Sequence, residues 1–180
     1  MGSNGAVCVF CGAADGSDPV HREHARRLGD LLADNGLELV FGGGHVGLMG
    51  VVAERVLARG GRVTGIIPEH LYRPELAYEG VTELVVTEGM SDRKDQLIAR
   101  SDSFITLGGG LGTLDEFFEV LTQRQLGLHA KPVVLLNSGG YWNGLLDLIE
   151  AVVGGGFMHH ADRALYQVAD TPDAAVAAVQ

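Results

Sequence analysis

A threonine and two glutamates spaced three apart, Thr113, Glu116 and Glu119, follow the glycine-rich run Gly108-Gly-Gly-Leu-Gly112. The apolar stretch Phe104-Ile-Thr-Leu107 leads in, and Phe117, Val120 and Leu121 supply an apolar stripe behind. That order predicts a strand, a tight glycine loop and a helix. Without Cβ atoms, such a loop lets backbone N–H groups approach an anion. The helix adds unpaired N–H groups and the positive end of its dipole. Thr113 can serve as N-cap or lend its hydroxyl to a phosphate. Glu116 falls one turn, ~5 Å, deeper on the same face. A lone glutamate there would read as a first-turn acid favoured by the dipole. The neighbouring glycines and a basic motif elsewhere point instead to a carboxylate held beside a phosphorylated ligand.

The basic motif is Met90-Ser-Asp-Arg-Lys-Asp-Gln-Leu97. Arg93 and Lys94 fall in the first turns of a helix, where the dipole disfavours cations, so a nearby anion is expected. The plain reading is a solvated charge pair partnered by Asp92 and Asp95. Arg93 offers a planar fork suited to phosphate or carboxylate. A second glycine loop, Gly42-x-Gly44-x-x-Gly47, fits a dinucleotide fingerprint, with Glu69 placed as a ribose-binding acid after the next strand. One dinucleotide needs only one such turn, so two loops of equal strength sit awkwardly with that reading. His45 falls in this loop, where a solvated histidine is the plain reading. The seven histidines show no metal-ligand spacing, and His159-His160 lies in an expected turn.

These motifs must be positioned by the surrounding elements. Apolar runs at Ala6–Cys11, Leu37–Phe41, Arg62–Ile67, Val81–Val86, Ser103–Leu107, Pro132–Leu136 and Tyr166–Ala169 read as strands. Helical patterns alternate with them. The first starts at Asp18-Pro19 and closes at Gly36, and another ends at Gly60-Gly61. One is capped by Ser91, one runs from the glycine loop to Leu126, and one spans Asn143–Val153. The last starts at Thr171-Pro172. Residues 69–82 look irregular. Alternation of this kind predicts an α/β fold, Rossmann-like and doubly wound, with a mostly parallel sheet and helices on both faces. Both glycine loops fall at strand C-termini, where such sheets bind ligands.

At 180 residues the chain is expected to form one nucleotide-binding domain over residues 1–180. Its 13 basic and 23 acidic residues give a net charge of −10. That balance argues against binding nucleic acid or an anionic membrane. No positive n-region opens the chain and no run approaches ~20 apolar residues, so neither a signal peptide nor a span is expected. Cys8 and Cys11 form a CxxC inside an apolar run. They read as core or loop-lining thiols in a reducing cytoplasm rather than a redox pair.

Taken together, Gly42-Gly-Gly-His-Val-Gly-Leu-Met-Gly50, Met90-x-x-Arg93-Lys94 and Gly109-Gly-x-Gly-Thr-x-x-Glu116 resemble the motifs of the LOG family. Its members are cytokinin riboside 5′-monophosphate phosphoribohydrolases, often labelled lysine decarboxylases in error. The resemblance runs from Val9-Phe-Cys-Gly12 through Gln125-Leu-Gly-Leu-His129, Lys131-Pro132, Leu136-Asn137 and Gly140-Tyr141 to Gly156-Phe157. It implies a homodimer that cleaves the N-glycosidic bond of an adenosine-type 5′-monophosphate, with no cofactor and no metal. It implies Arg93 and Glu116 as catalytic residues. Substrate contacts would come from Lys94, Gly109, Gly110, Leu111, Gly112, Thr113 and Thr122, with Gly43, Gly44 and Met49 of the first loop. Two departures stand out: Gly108 replaces the usual proline, and Thr122-Gln-Arg-Gln125 replaces Thr-Trp-Ala-Gln. The residues alone leave open an NAD(P)-dependent oxidoreductase and a nucleotide-binding module without turnover. Lysine decarboxylation fits poorly, because neither Lys94 nor Lys131 is a natural Schiff-base lysine.

Overall fold

The computed structural model describes residues 4–180. Its strands are β1 (Ala6–Phe10), β2 (Glu38–Phe41), β3 (Val63–Pro68), β4 (Glu83–Thr87), β5 (Ser103–Thr106), β6 (Val133–Leu136) and β7 (Gln167–Ala169). The helices are α1 (Pro19–Asp34), α2 (Gly47–Ala58), α3 (Met90–Ala99), α4 (Leu111–Gln125), α5 (Asn143–Gly154) and α6 (Pro172–Ala177). All seven strands pair in parallel, in the order β4-β3-β2-β1-β5-β6-β7. The order reverses direction between β1 and β5, so the loops after those strands flank the crevice where open α/β sheets take ligands.

The inner strands read as near-continuous apolar runs because both faces are covered, whereas the edge strands β4 and β7 are partly exposed; alternate residues sort to opposite sides. Val7, Val9, Leu39, Phe41, Ile105, Val134 and Leu136 pack with residues of α1, α2 and α6. Cys8, Phe10, Val40, Phe104, Val133 and Leu135 pack with α3, α4 and α5. This is the doubly wound arrangement that the alternating pattern implies.

Local chemistry sets several boundaries. Asp18 caps α1 by accepting from the Val20 amide, with Pro19 at the first helical position. Gly36 ends the turn at φ +67°. The Thr171 side chain accepts from the Ala174 amide at the head of α6. Two expected caps are corrected. α3 starts at Met90 with Gly89 as N-cap, so Ser91 lies inside the helix. α4 is capped by Gly110, which leaves Thr113 buried in its first turn.

The stretch 69–82 is more ordered than its sequence suggests. A 3₁₀ turn covers Glu69–Leu71, and the chain then straps across the first glycine loop. The Tyr78 amide donates to the Gly43 carbonyl and the His45 amide to that of Leu76, both at 2.9 Å. Gly44 and Ala77 form an antiparallel bridge. No helix among the described residues is long and apolar enough to cross a membrane.

Helices α1 and α2 cross at Gly29, where an added Cβ would stand 2.7 Å from both the Val52 carbonyl oxygen and the Arg55 Cβ. In an open helix, replacing glycine by alanine stabilises by about 1 kcal/mol. Here overpacking reverses the sign: Gly29→Ala should lose about 1–3 kcal/mol, read as a lower urea midpoint.

Candidate active site

The side chain that joins the strand ends to α4 is Arg93, on the first turn of α3 and only 9% exposed. Its Nε donates to the Ile66 carbonyl at 3.1 Å and its Nη2 to the Gly42 carbonyl at 3.3 Å. Its Nη1 lies 3.5 Å from a Glu116 carboxylate oxygen. The guanidinium therefore ties β3, the loop after β2 and α4 together. Gly42 is glycine because a Cβ there would overlap Nη2. The thioether of Met49 comes within 3.3 Å of the same point, so Met49 and Arg93 meet over Gly42. The expected anion near Arg93 is thus Glu116 itself.

Glu116 is 8% exposed, with Phe117 and Val120 fully buried beside it. It shares a closed gap with Phe10, Leu97 and Ile98. Burial raises its pKa to about 7, and the charge of Arg93 lowers it only in part. Glu116 stands one turn behind the loop, where helical spacing puts it, but it turns inward and only a tenth of its side chain is exposed. A carboxyl that exchanges its proton near neutrality is suited to acid–base work.

The loop ahead of it is open. Gly110, Leu111 and Gly112 are exposed, Leu111 at 86%. A Cβ on Gly110 or Gly112 would meet nothing within 4 Å. Gly109 serves a different purpose, since a Cβ there would overlap the Thr113 hydroxyl. Thr113 is thereby held under the loop, 4% exposed. The first turn of α4 presents amides toward solvent in the manner of an anion site.

Other expected contacts lie elsewhere. Lys94 pairs with Asp115 and Glu119, at 3.2 and 3.1 Å. Burial disfavours its charge, but hydrogen bonds to Glu119 and Asp115 outweigh that and hold its pKa above the ordinary lysine value. Glu119 is held below the usual carboxylate range by hydrogen bonds from Gln123 and Lys94. The Gln123 departure thus has a structural role. Arg124 donates to the Lys131 carbonyl at 3.0 Å. Gly43 and Gly44 are buried beneath the strap and support the loop rather than lie open. Thr122 is exposed, six residues past Glu116. That places it about 9 Å further along the axis and on a different face.

The head of α2 does not form the dinucleotide cradle its glycines suggest. The Leu48 amide donates to the Gly12 carbonyl at 3.1 Å, and Gly47, at φ +58°, leaves no room for a Cβ beneath the backbone of Ala13 and Ala14. That turn is capped by the protein's own chain. Glu69 is exposed on the 3₁₀ turn. Cys8 and Cys11 are buried, free thiols whose pKa values burial pushes up.

A cavity of about 430 Å³ lies against the α4 loop, lined by Gly12, Ala13, His21, Gly108, Gly109 and Tyr141. An open cleft of about 760 Å³ adjoins it through Ala14 and Asp15 and extends past His45 and Tyr78. Sequence reasoning passed over His21 and gave Tyr141 no role beyond its place in the Gly140-Tyr141 stretch of the resemblance; they touch the loop from α1 and from the turn after β6. No spacing marks either for that contact, because only the fold brings them to residues 108 and 109.

The family described as "Possible lysine decarboxylase" matches residues 49–179. Cytokinin riboside 5′-monophosphate phosphoribohydrolase LOG7 of Arabidopsis thaliana is 45% identical over 84% of this chain and 70% of its own. The cytokinin riboside 5′-monophosphate phosphoribohydrolase of Rhodococcoides fascians is 44% identical, covering 97% of this chain and 89% of its own. Among solved structures, the molybdenum cofactor binding protein of Rippkaea orientalis superposes with a TM-score of 0.73 at 25% identity, over 98% of this chain and 95% of that one.

The buried acid should register in stability. Its folded pKa of about 7 lies above the unfolded value of 4.5. The folded state therefore holds the proton more tightly, and the contribution of Glu116 to stability falls as pH rises from about 4.5 to 7. The loss approaches about 3 kcal/mol at most. Glu116→Gln should remove this component. The variant's stability relative to wild type should increase between pH 5 and 8 in urea unfolding.

Proposed function

The chain belongs to the LOG family, and from that premise we propose that it hydrolyses the N-glycosidic bond of an adenosine-type or cytokinin riboside 5′-monophosphate. The products are the free base and ribose 5-phosphate. The observation that carries the reading is the buried Glu116–Arg93 pair one turn behind an exposed glycine loop. In this reading residues 1–180 act as one nucleotide-binding domain.

The 5′-phosphate is held by the amides of Gly110 to Thr113 at the positive end of α4. The ribose then reaches back toward the exposed edge of Glu116. As the bond between C1′ and the base breaks, the bonding pair leaves with the base and positive charge builds on the sugar. The Glu116 carboxylate stabilises that charge and takes a proton from the water that adds to C1′. The departing base takes its proton from solvent, and Glu116 returns the water proton to solvent, so the carboxylate is restored. Arg93 orients the carboxylate through the 3.5 Å contact and is itself fixed by two carbonyls, so little reorganisation is needed. Lys94 supports α4 through Asp115 and Glu119.

Two other readings lose ground on specific observations. A pyrophosphate at the head of α2 would have to displace the Gly12 carbonyl and the Ala13-Ala14 backbone. A Schiff base needs a free amine, yet both lysines of the chain are engaged. Lys94 is paired with two carboxylates, and Lys131 Nζ donates to the Ile98 carbonyl at 2.7 Å.

We also read the protein as a homodimer of a reducing cytoplasm. Leu111, Phe118 and Thr122 of α4 and its C-cap Leu126 fall on one exposed stripe, spanning about 80° of the helix. Leu126 and Leu128 are 69% and 70% exposed. A contiguous apolar surface of this kind marks an interface, and covering it would bring Thr122 to a subunit boundary.

Incubation with AMP and with isopentenyladenosine monophosphate should release free base from each. Glu116→Gln should lower turnover by at least ~100-fold; near-full activity in that variant would refute the assignment. Because the carboxylate form is required, kcat/KM should rise with pH through about 7, the pKa set by burial. The residual rate of the variant should lack this limb. Sedimentation equilibrium should return twice the 19.0 kDa chain mass, and a monomer at micromolar concentration would end the dimer reading.

A further inference from the structure

The imidazole of His21 stands where a side chain on residue 108 would otherwise be. A Cβ built on Gly108 would meet His21 Nδ1 at 2.9 Å and Cε1 at 3.0 Å, and its three nearest neighbours all belong to this ring. On the other side, a Cβ on Gly16 would lie 2.9 Å from His21 Cδ2. The ring is therefore clamped between two glycines on separate loops. Gly108 is not at positive φ, so its backbone would accept any L-residue, and only His21 obstructs one.

The ring is 7% exposed, and its Nδ1 is buried without a hydrogen-bond partner. An unpaired buried nitrogen is a cost that packing must offset, so shape rather than polar bonding holds the ring there. Tyr141 stands edge-on to it, at 4.9 Å between ring centroids. The Tyr141 hydroxyl donates to the Gly109 carbonyl at 2.7 Å. From the β1 side, the Gly12 amide donates to the Gly108 carbonyl at 3.0 Å. The chain ahead of the exposed amides of α4 is thus held by a ring, a hydroxyl and an amide from three different segments.

We infer that His21, with Tyr141, is a positioning residue that sets the conformation of Gly108–Gly110 and so aims the first-turn amides of α4 at the substrate phosphate. The inference rests on the reading that this loop grips a phosphate. The brace acts by filling space, so its two sides are interchangeable: side-chain volume can come from residue 21 or from residue 108, but not from both.

The test is a double-mutant cycle of His21→Ala, Gly108→Ala and the pair, with two readouts. Hydrogen exchange at the amides of residues 109–112 reads loop order without requiring activity. Steady-state kinetics with AMP separates KM from kcat. Each single change should speed exchange and raise KM about tenfold, with kcat within about twofold, and the pair should recover to within about threefold of wild type. His21→Phe keeps the ring and should stay near wild type in both readouts, which covers the case in which His21→Ala fails to fold. Additive effects in the pair, or exchange and KM unchanged in His21→Ala, would overturn the brace. A tenfold KM effect in His21→Phe would overturn it too. If exchange follows the cycle while wild type leaves AMP intact, the brace stands and the phosphoribohydrolase reading fails.

Discussion

Everything at the site depends on one buried cation. Taking a guanidinium out of water costs several kcal/mol unless each face finds a partner. Arg93 finds three oxygen partners: the Ile66 carbonyl at the end of β3, the Gly42 carbonyl after β2, and the Glu116 carboxylate on α4. Those partners lie far apart in sequence and converge only when the parallel sheet has formed. The same contacts that satisfy the arginine fix the distance between α3 and α4. Glu116 is thereby desolvated enough to hold its proton near neutrality, yet remains within reach of a compensating charge. Fold and chemistry meet in that triangle.

Glycine is the means by which the protein makes room for this arrangement. At Gly42 the missing side chain admits a guanidinium, at Gly109 a threonine hydroxyl, and at Gly108 an imidazole. None of these three sits at positive φ. Their purpose is close approach rather than unusual backbone geometry. Gly110 and Gly112 differ again, because both are exposed and nothing stands where a side chain would be. One glycine-rich run thus serves packing at its start and binding at its end.

Arg93 and Lys94 are adjacent, yet their charges are spent differently. The arginine turns inward to carbonyls and Glu116. The lysine turns toward the carboxylates of Asp115 and Glu119, where Gln123 completes the cluster. A planar fork can satisfy several carbonyls in a buried site, whereas a compact ammonium does better against partly exposed carboxylates. The pair grips α4 at two heights, which stiffens the helix that carries the proposed catalytic acid.

The alternating apolar runs were enough by themselves to specify a doubly wound parallel sheet. Asp18-Pro19 and Thr171-Pro172 were enough to place two helix starts, because capping is a local matter of side chain and amide. The Gly109–Glu116 motif likewise located a glycine loop with an acid one turn behind it, since helical spacing is fixed by 3.6 residues per turn. Other features were decided only by tertiary structure. They include the inward turn of Glu116 toward Arg93, the commitment of Lys94 to α4, the strap over Gly43–His45, and the capping of α2 by Gly12 that closes the dinucleotide cradle. The imidazole of His21 behind Gly108 belongs with them. Each depends on segments tens of residues apart meeting in space, and on burial that no local pattern reports. Sequence could therefore name the groups that carry charge and room, while only the packed fold could say which of them face each other.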